Sequence, residues 1–585
     1  MSTDNGKKTS RTYDVIICGG GLAAQTLARQ LKLNMPDISV LMIAKNGFPL
    51  AWNDFKVGES TVEISSFYLG EVLQLQTYLN NNHFIKFGLR YFIGDTKGCI
   101  SRRPEIGLTR YAPYNSFQID RSILENDLYR MNLQSGVEIV PNATVQTISI
   151  NEPGEPHLVS YQCGAGQTTT AAAKWVADAS GRRCLLQRQL GLQQRASYSH
   201  SAAWWRVKGR LDIDNMADAK DSGFHLRVPY GSRYFSTTHL MGEGYWVWLI
   251  PLASGNTSIG IVTADSIHPF ESYNTMEKAL AWLQEHEPVL SGHLQGYEVL
   301  DFLKMKNYSY SSTQVFSSNR WACVGDAGVF TDPFYSPGSN FIAFENSMVT
   351  EMVRADLRTS TNWTEWVDEY NSFIIGMNKW LTESIQSSYT YFHLDMLMAL
   401  SYIWDVAAGW SFIGPKMFGA VFHNRERHAA LKEISLRFFA LAYTVERFFN
   451  EWKHLTGNAY TFDFIDYLSI PFLKNIYDRN IRKKEITDEL KAAHVQNLRD
   501  LEALVQAIFW LALEDVHPGK KTLIEKRPWI NAWAITLDEA QWHSKGLFSP
   551  DTTPGDITTI MEQLKPLFRR KDDHSKKEDA LDFGF

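Results

Sequence analysis

Residues 325–341 read GDAGVFTDPFYSPGSNF, and two kinds of chemistry meet in them. Gly325-Asp326 follows the apolar run WACV, which sets a carboxylate at a strand end, the usual place for a nucleotide-binding acid. Ser336, Pro337, Gly338 and Ser339 then make a tight turn. Proline has no backbone N–H, so Pro337 cannot donate a hydrogen bond, whereas Gly338 and Ser339 can. Such a turn faces a phosphate, a smaller anion or nothing. A second cluster lies near the start of the chain. GGGLAA (19–24) sets Gly19, Gly21 and then Ala24 at the third position, after the strand-like run Val15–Cys18 and ahead of the helix-compatible LAAQTLARQLKL. Free N–H groups and the dipole at such a helix start favour a phosphate. The acid that would bind a ribose at the end of the following strand is missing, because Ala44 and Lys45 stand there.

These residues need a scaffold, and the periodicity supplies one. Strand, glycine turn, helix and a second strand (SVLMIAKN, 39–46) form a βαβ nucleotide-binding opening. SFQIDRSILENDLYRMNLQSG reads as a turn into a helix, and KWVADASGRR (174–183) as another strand ending in an acid. Residues 200–315 carry many strand-like runs, and the pattern turns helical after 340. The expected class is α/β. A βαβ module over 12–358 carries an inserted antiparallel sheet near 191–315, followed by a helical region, 359–568, and a charged tail, 569–585, disordered at its start. Residues 392–418 are strongly apolar, but Asp395 and Asp405 interrupt them, so a buried helix is expected there rather than a membrane span. A peripheral membrane contact stays open.

Composition narrows the function. A net charge of -6 over 585 residues, with no basic tract, argues against nucleic acid as a partner. The 18 Trp and 25 Tyr suit a pocket for a flat ring as well as a large aromatic core. Five cysteines without a C-x-x-C pair imply neither a disulfide framework nor a metal site. The polar start, with no apolar leader, points to the cytoplasm.

The motifs also carry a resemblance. Gly325-Asp326 resembles the flavoprotein element whose aspartate binds the ribityl chain, and FQIDRS resembles an arginine-bearing element that sets Arg121 at the cofactor edge. These pieces in this order imply FAD ahead of NAD. Trp246-Val247-Trp248-Leu249-Ile250-Pro251 is a W-x-W-x-I-P pattern. With KVGEST (56–61), which contains Glu59 and Ser60, it resembles the FAD-dependent halogenases within the aromatic-hydroxylase-like flavoproteins. SYTYFHLDMLMALSYIWD and Tyr335 are similar to the phenol/pyrrole subgroup more than to the tryptophan subgroup, which has a glutamate at the position of Tyr335.

The resemblance implies a mechanism. Reduced FAD forms a C4a-hydroperoxide, halide attacks it, and hypohalous acid travels to a lysine beside an electron-rich ring. In HFIKFGLRYF that lysine is Lys86, and its neighbours Ile85 and Phe87 would desolvate it and lower its pKa. The resemblance casts Glu59 as a strap between flavin site and lysine. Gly19, Gly21, Ala24, Ser60, Arg121, Gly325 and Asp326 would hold FAD, and Gly338 and Ser339 chloride or bromide. Trp246 and Trp248 would keep substrate from the flavin. With one dinucleotide motif in view, a separate flavin reductase is the expected electron source. The aromatic substrate is either free or carrier-bound. Two alternatives stand beside this reading: a flavin monooxygenase, whose Pro-x-Gly turn the sequence SPGSN resembles, and a non-catalytic FAD-bound partner of a biosynthetic complex.

Overall fold

The structure is a computed structural model. It describes residues 12–51, 56–164, 166, 168–229, 231–359, 362–484, 486–519, 530–549 and 557–574. The apolar run near the start forms β1 (Thr12–Cys18), Gly21 opens α1 (Leu22–Asn34), and VLMI forms β2 (Val40–Ile43). All four β2 residues are buried, as expected of a parallel strand covered on both faces. β1 lies between β2 and the strand Thr168–Asp178, parallel to both, and Trp321–Cys323 pairs with the far side of the latter. The carboxyl ends of these strands deliver Cys18, Asp178 and Cys323 to one edge, the edge at which open α/β sheets bind ligands.

The second sheet has eight strands, with the W-x-W-x-I-P strand Tyr245–Pro251 between Thr237–Gly242 and Asn256–Ala264. It reaches beyond the expected 191–315. Leu89–Ile93 pairs parallel with Thr237–Gly242, Glu105–Gly107 follows, and Phe464–Asp466 from the C-terminal region closes the row. Pattern reading missed these outer strands because three to five residues show no periodicity of their own. The C-terminal region is therefore stitched into the sheet rather than appended to it.

The apolar segment forms the helix Asp395–Ala408, continued through a π-turn to Phe418. By length and composition 395–418 could cross a membrane, yet 83% of its window is buried inside the protein. It packs beside Lys432–Leu455 and Thr487–Val516. The start of the expected tail is ordered: Arg569–Arg570 pairs with Tyr460–Thr461, and residues 575–585 lie outside those described.

Candidate active site

A long cleft runs over the carboxyl edge of the parallel sheet. It consists of a cavity of about 430 Å³ and an adjoining one of about 340 Å³, which share Gly21, Lys56, Ala179 and Gly181. Glycine is required where the chain turns. Gly19 has φ +150°, and a Cβ there would fall 2.1 Å from the Ala179 carbonyl oxygen. A Cβ on Gly20 would meet the Ala44 methyl at 2.5 Å, so the β2 end packs directly on the glycine turn. Gly21 is open, and no side chain caps the first N–H groups of α1. Ala24 is buried in α1 and lines neither cavity. It serves packing, a correction to its reading as a cofactor contact.

No carboxylate lines the smaller cavity; Lys45, Lys56 and Arg183 do. Asp326 and Arg121 both line the larger one. Burial pushes the Asp326 carboxyl up, while Arg121 and Arg182 pull it down. Arg121 begins the helix Arg121–Gln134, where Glu125 and the Val57 carbonyl hold its guanidinium. Uncapped helix N–H groups, basic side chains and one carboxylate at the sheet edge suit a dinucleotide with a flat ring, and the residues fit FAD.

Trp246 and Trp248 face the same cavity, their ring centroids 5.7 Å apart. Trp248 donates to Ser258 Oγ at 3.1 Å and lies over Gly260, where a Cβ would meet its ring at 2.2 Å. Gly260→Ala should therefore cost about 1–3 kcal/mol in a denaturant melt and red-shift the tryptophan emission as Trp248 moves. The Trp246 indole donates to Tyr389 at 2.9 Å, and Tyr389 donates to Asp332 at 2.7 Å. Tyr308 donates to the same oxygen at 2.5 Å. This buried network ties the Trp pair to the D-P element; no local pattern signals it, because its members lie 24 to 143 residues apart.

Lys86 ends the short strand Phe84–Lys86, which pairs with Ser116–Gln118. Its side chain is 2% exposed. Nζ donates at 2.8 Å to Ser60 Oγ and at 2.8 Å to the Thr61 carbonyl. Burial lowers its pKa to about 7, against the pull of Glu63. Ser60 in turn receives a 3.1 Å hydrogen bond from Ser336 Oγ, so one serine links the lysine to the SPGS turn. The strap role assigned to Glu59 needs correction. Glu59 is held by Arg206 at 2.6 and 3.0 Å, and Arg206 also binds Asp301 and the Lys56 carbonyl. Glu63, which the sequence reading passed over, is the acid beside Lys86.

The turn itself places Ser336 at φ +54° and makes Pro337 the cap of the helix Gly338–Arg358. The Pro337 carbonyl accepts from the N–H groups of Asn340 and Phe341. Gly338 and Ser339, whose N–H groups precede the first helical bond, line the larger cavity.

No family model matches the chain. The flavin-dependent halogenase chlA of Dictyostelium discoideum is 29% identical over 381 residues, 60% of this chain and 61% of its own length. The tetracycline 7-halogenase of Kitasatospora aureofaciens is 24% identical over 70% of this chain and 75% of its own. The chain is thus similar to flavin-dependent halogenases. Among solved structures, the halogenase PltM superposes with a TM-score of 0.60 at 17% identity, over 84% of this chain and 97% of its own. The brominase Bmp2 gives 0.52 at 23%, over 66% and 88%. These likenesses bear on the fold alone. The matched stretch spans less than two thirds of the Dictyostelium relative.

Proposed function

We propose that the protein is a FAD-dependent halogenase of an electron-rich, phenol- or pyrrole-like aromatic ring. The observation that carries this is the position of Lys86: a buried amine with a pKa near 7, joined through Ser60 to a turn that borders the flavin-sized cleft. FAD, supplied reduced, would activate molecular oxygen, which is the oxidant: one oxygen atom would end in hypohalous acid as halide is oxidised, and the other would leave as water. The chain's own residues do the rest. Gly19 and Gly21 let the backbone approach the phosphates, Lys45 and Lys56 balance their charge, and Asp326 and Arg121 hold the ribityl side. The Trp246–Trp248 pair walls off the ring. Gly338 and Ser339 offer two N–H donors to halide. Neutral Lys86 has a lone pair with which to receive the halogen and present it to the substrate.

Pro337 favours the monooxygenase reading, since it removes one donor from the turn. Loss of a charge-assisted donor weakens halide by about 1.5–3 kcal/mol. Bromide, less costly to desolvate, should be used in preference to chloride. Pro337→Ser restores an N–H and should tighten the halide dependence of product formation about ten-fold. A hydroxylated product that ignores halide in both proteins would assign the chain to the monooxygenases.

The electrons should come from a separate reductase and reach the enzyme as diffusible reduced FAD. In stopped flow, NADH or NADPH alone should leave the bound flavin oxidised. Rapid bleaching at 450 nm would overturn this.

A further inference from the structure

Beyond the turn that borders the flavin cleft lies a second cavity of about 160 Å³. Phe341 lines both spaces, and Tyr335, Phe344, Trp380, Tyr402 and Trp410 wall the second one. A cavity of about 150 Å³ accommodates one benzene-sized ring. Aromatic walls favour a flat occupant stacked or edge-on.

Its polar groups are Asp405 and Glu63, with Ser384 and Asn340 beside them. Asp405 is unusual. Its Oδ2 accepts from Tyr335 at 2.7 Å, and Oδ1 has no bond to any described residue. The ionisable groups around it are acids. Tyr335 comes from the turn, Tyr91 from the strand Leu89–Ile93, Tyr391 from the preceding turn and Glu446 from Lys432–Leu455, and Tyr402 and Glu63 share the cavity wall with it. No described lysine or arginine pairs with it. Asp405 is half-buried among these aromatic walls, so a carboxyl oxygen bordering the cavity with no cation paired to it is open to a donor that enters the cavity. A ligand that donates a hydrogen bond supplies one.

We propose that this cavity binds a free, single-ring phenol and that Asp405 Oδ1 accepts the phenolic hydrogen. The binding claim stands on the cavity alone, and the catalytic step rests on the halogenase reading. As the ring carbon attacks the halogen delivered as hypohalous acid through Lys86, the O–H proton passes to Asp405 and a halogenated cyclohexadienone forms. The O–X bond breaks, and the departing hydroxide becomes water with the ring C–H proton, which the neutral lysine takes up and passes on. Loss of that proton restores aromaticity, and Asp405 gives its proton back to the oxygen. The net change is ArH and HOX to ArX and water.

Burial raises the Asp405 pKa to about 7, and its bond from Tyr335 lowers it. Acceptance needs the ionised form, so phenol turnover should rise with pH through about 7.

The test uses the FAD-loaded full chain with resorcinol and 1,3-dimethoxybenzene as probes, titrated at pH 6 and pH 8. Resorcinol should bind at least ten-fold more tightly than the ether at pH 8. Asp405→Asn should erase that difference. Tyr335→Phe should move the pH midpoint of resorcinol turnover upward by removing a bond that favours the carboxylate, a shift that a purely structural role would not give. The proposal is overturned if Asp405→Asn binds resorcinol as wild type does or the two probes bind equally. It is also overturned if larger or carrier-tethered rings are halogenated while no single-ring phenol binds. That last outcome leaves the halogenase reading intact. Discrimination through Asp405 with a halide-independent product would sink the halogenase reading instead and keep the binding site.

Discussion

Lys86→Ala should lower halogenation of the organic substrate by about 10²–10⁴-fold in kcat and leave oxygen consumption by reduced FAD unchanged. The two readouts separate because the lysine lies beyond the cleft. Its Nζ contacts Ser60 and the Thr61 carbonyl, and it does not line the flavin-sized cavity. Lys86→Arg should fail as well, since a guanidinium stays charged and has no lone pair to offer. Lys86→Met keeps the volume and removes the amine, so it behaves like alanine in catalysis while holding the packing. The check is a product assay by mass spectrometry alongside an oxygen electrode. A variant that halogenates at the wild-type rate would remove Lys86 from the mechanism, and one that stops oxygen consumption would place it at the flavin.

The expected pH dependence follows from the lysine's position. With a pKa near 7, the neutral amine gains population as pH rises from 6 to 8. Asp405 loses its proton over the same interval. Both groups reach the state the reaction needs as pH rises, so the kcat profile should climb more steeply than a single titration allows. Asp405→Asn should return it to a single step.

Much of this arrangement was legible along the chain because it is local. Gly19, Gly21, Gly325-Asp326 and the two tryptophans belong to short runs in which neighbours are fixed by strand and turn geometry; Gly19 lines the smaller cavity of the cleft and the others the larger one. Lys86 could be expected to be desolvated because Ile85 and Phe87 flank it, and it is buried. The partners of these residues were not legible. Glu59 meets Arg206, 147 positions away, and Tyr335 meets Asp405, 70 positions away. Only the packing of two sheets and a helix brings them together, and no period in the sequence records that. One signal was present and read for the wrong purpose. Asp405 interrupts an apolar helix, which argued against a membrane span, yet a carboxyl group in a buried helix also asks what it is there to bind.

Lys86 and Asp405 should each weaken the fold, in opposite pH ranges. Lys86 has its pKa lowered from 10.5 to about 7. Between these values the folded amine is neutral and the unfolded one charged, so the unfolded chain binds more protons and stability rises with pH across that window. Below about pH 7 the penalty is complete and amounts to about 5 kcal/mol. Asp405 has its pKa raised from 3.8 to about 7. Across that window the folded state holds the extra proton, so stability falls as pH rises and the penalty is complete above 7. It is smaller, about 2–3 kcal/mol, because Asp405 is only half-buried and solvent screens it. Lys86→Met should therefore stabilise the protein most at pH 6 and little at pH 10. Asp405→Asn should stabilise it at pH 8 and leave it unchanged at pH 4. Around neutrality both burdens are present at once, and the double variant should gain nearly the sum if the two sites do not touch. Urea melts of the three variants across pH 4 to 10 give these differences directly. Stability gains with the reverse pH order would mean that the amine and the carboxyl group are not desolvated in solution. Gains in the stated order, accompanied by loss of turnover, would show that the fold keeps two unfavourable groups because the reaction uses them.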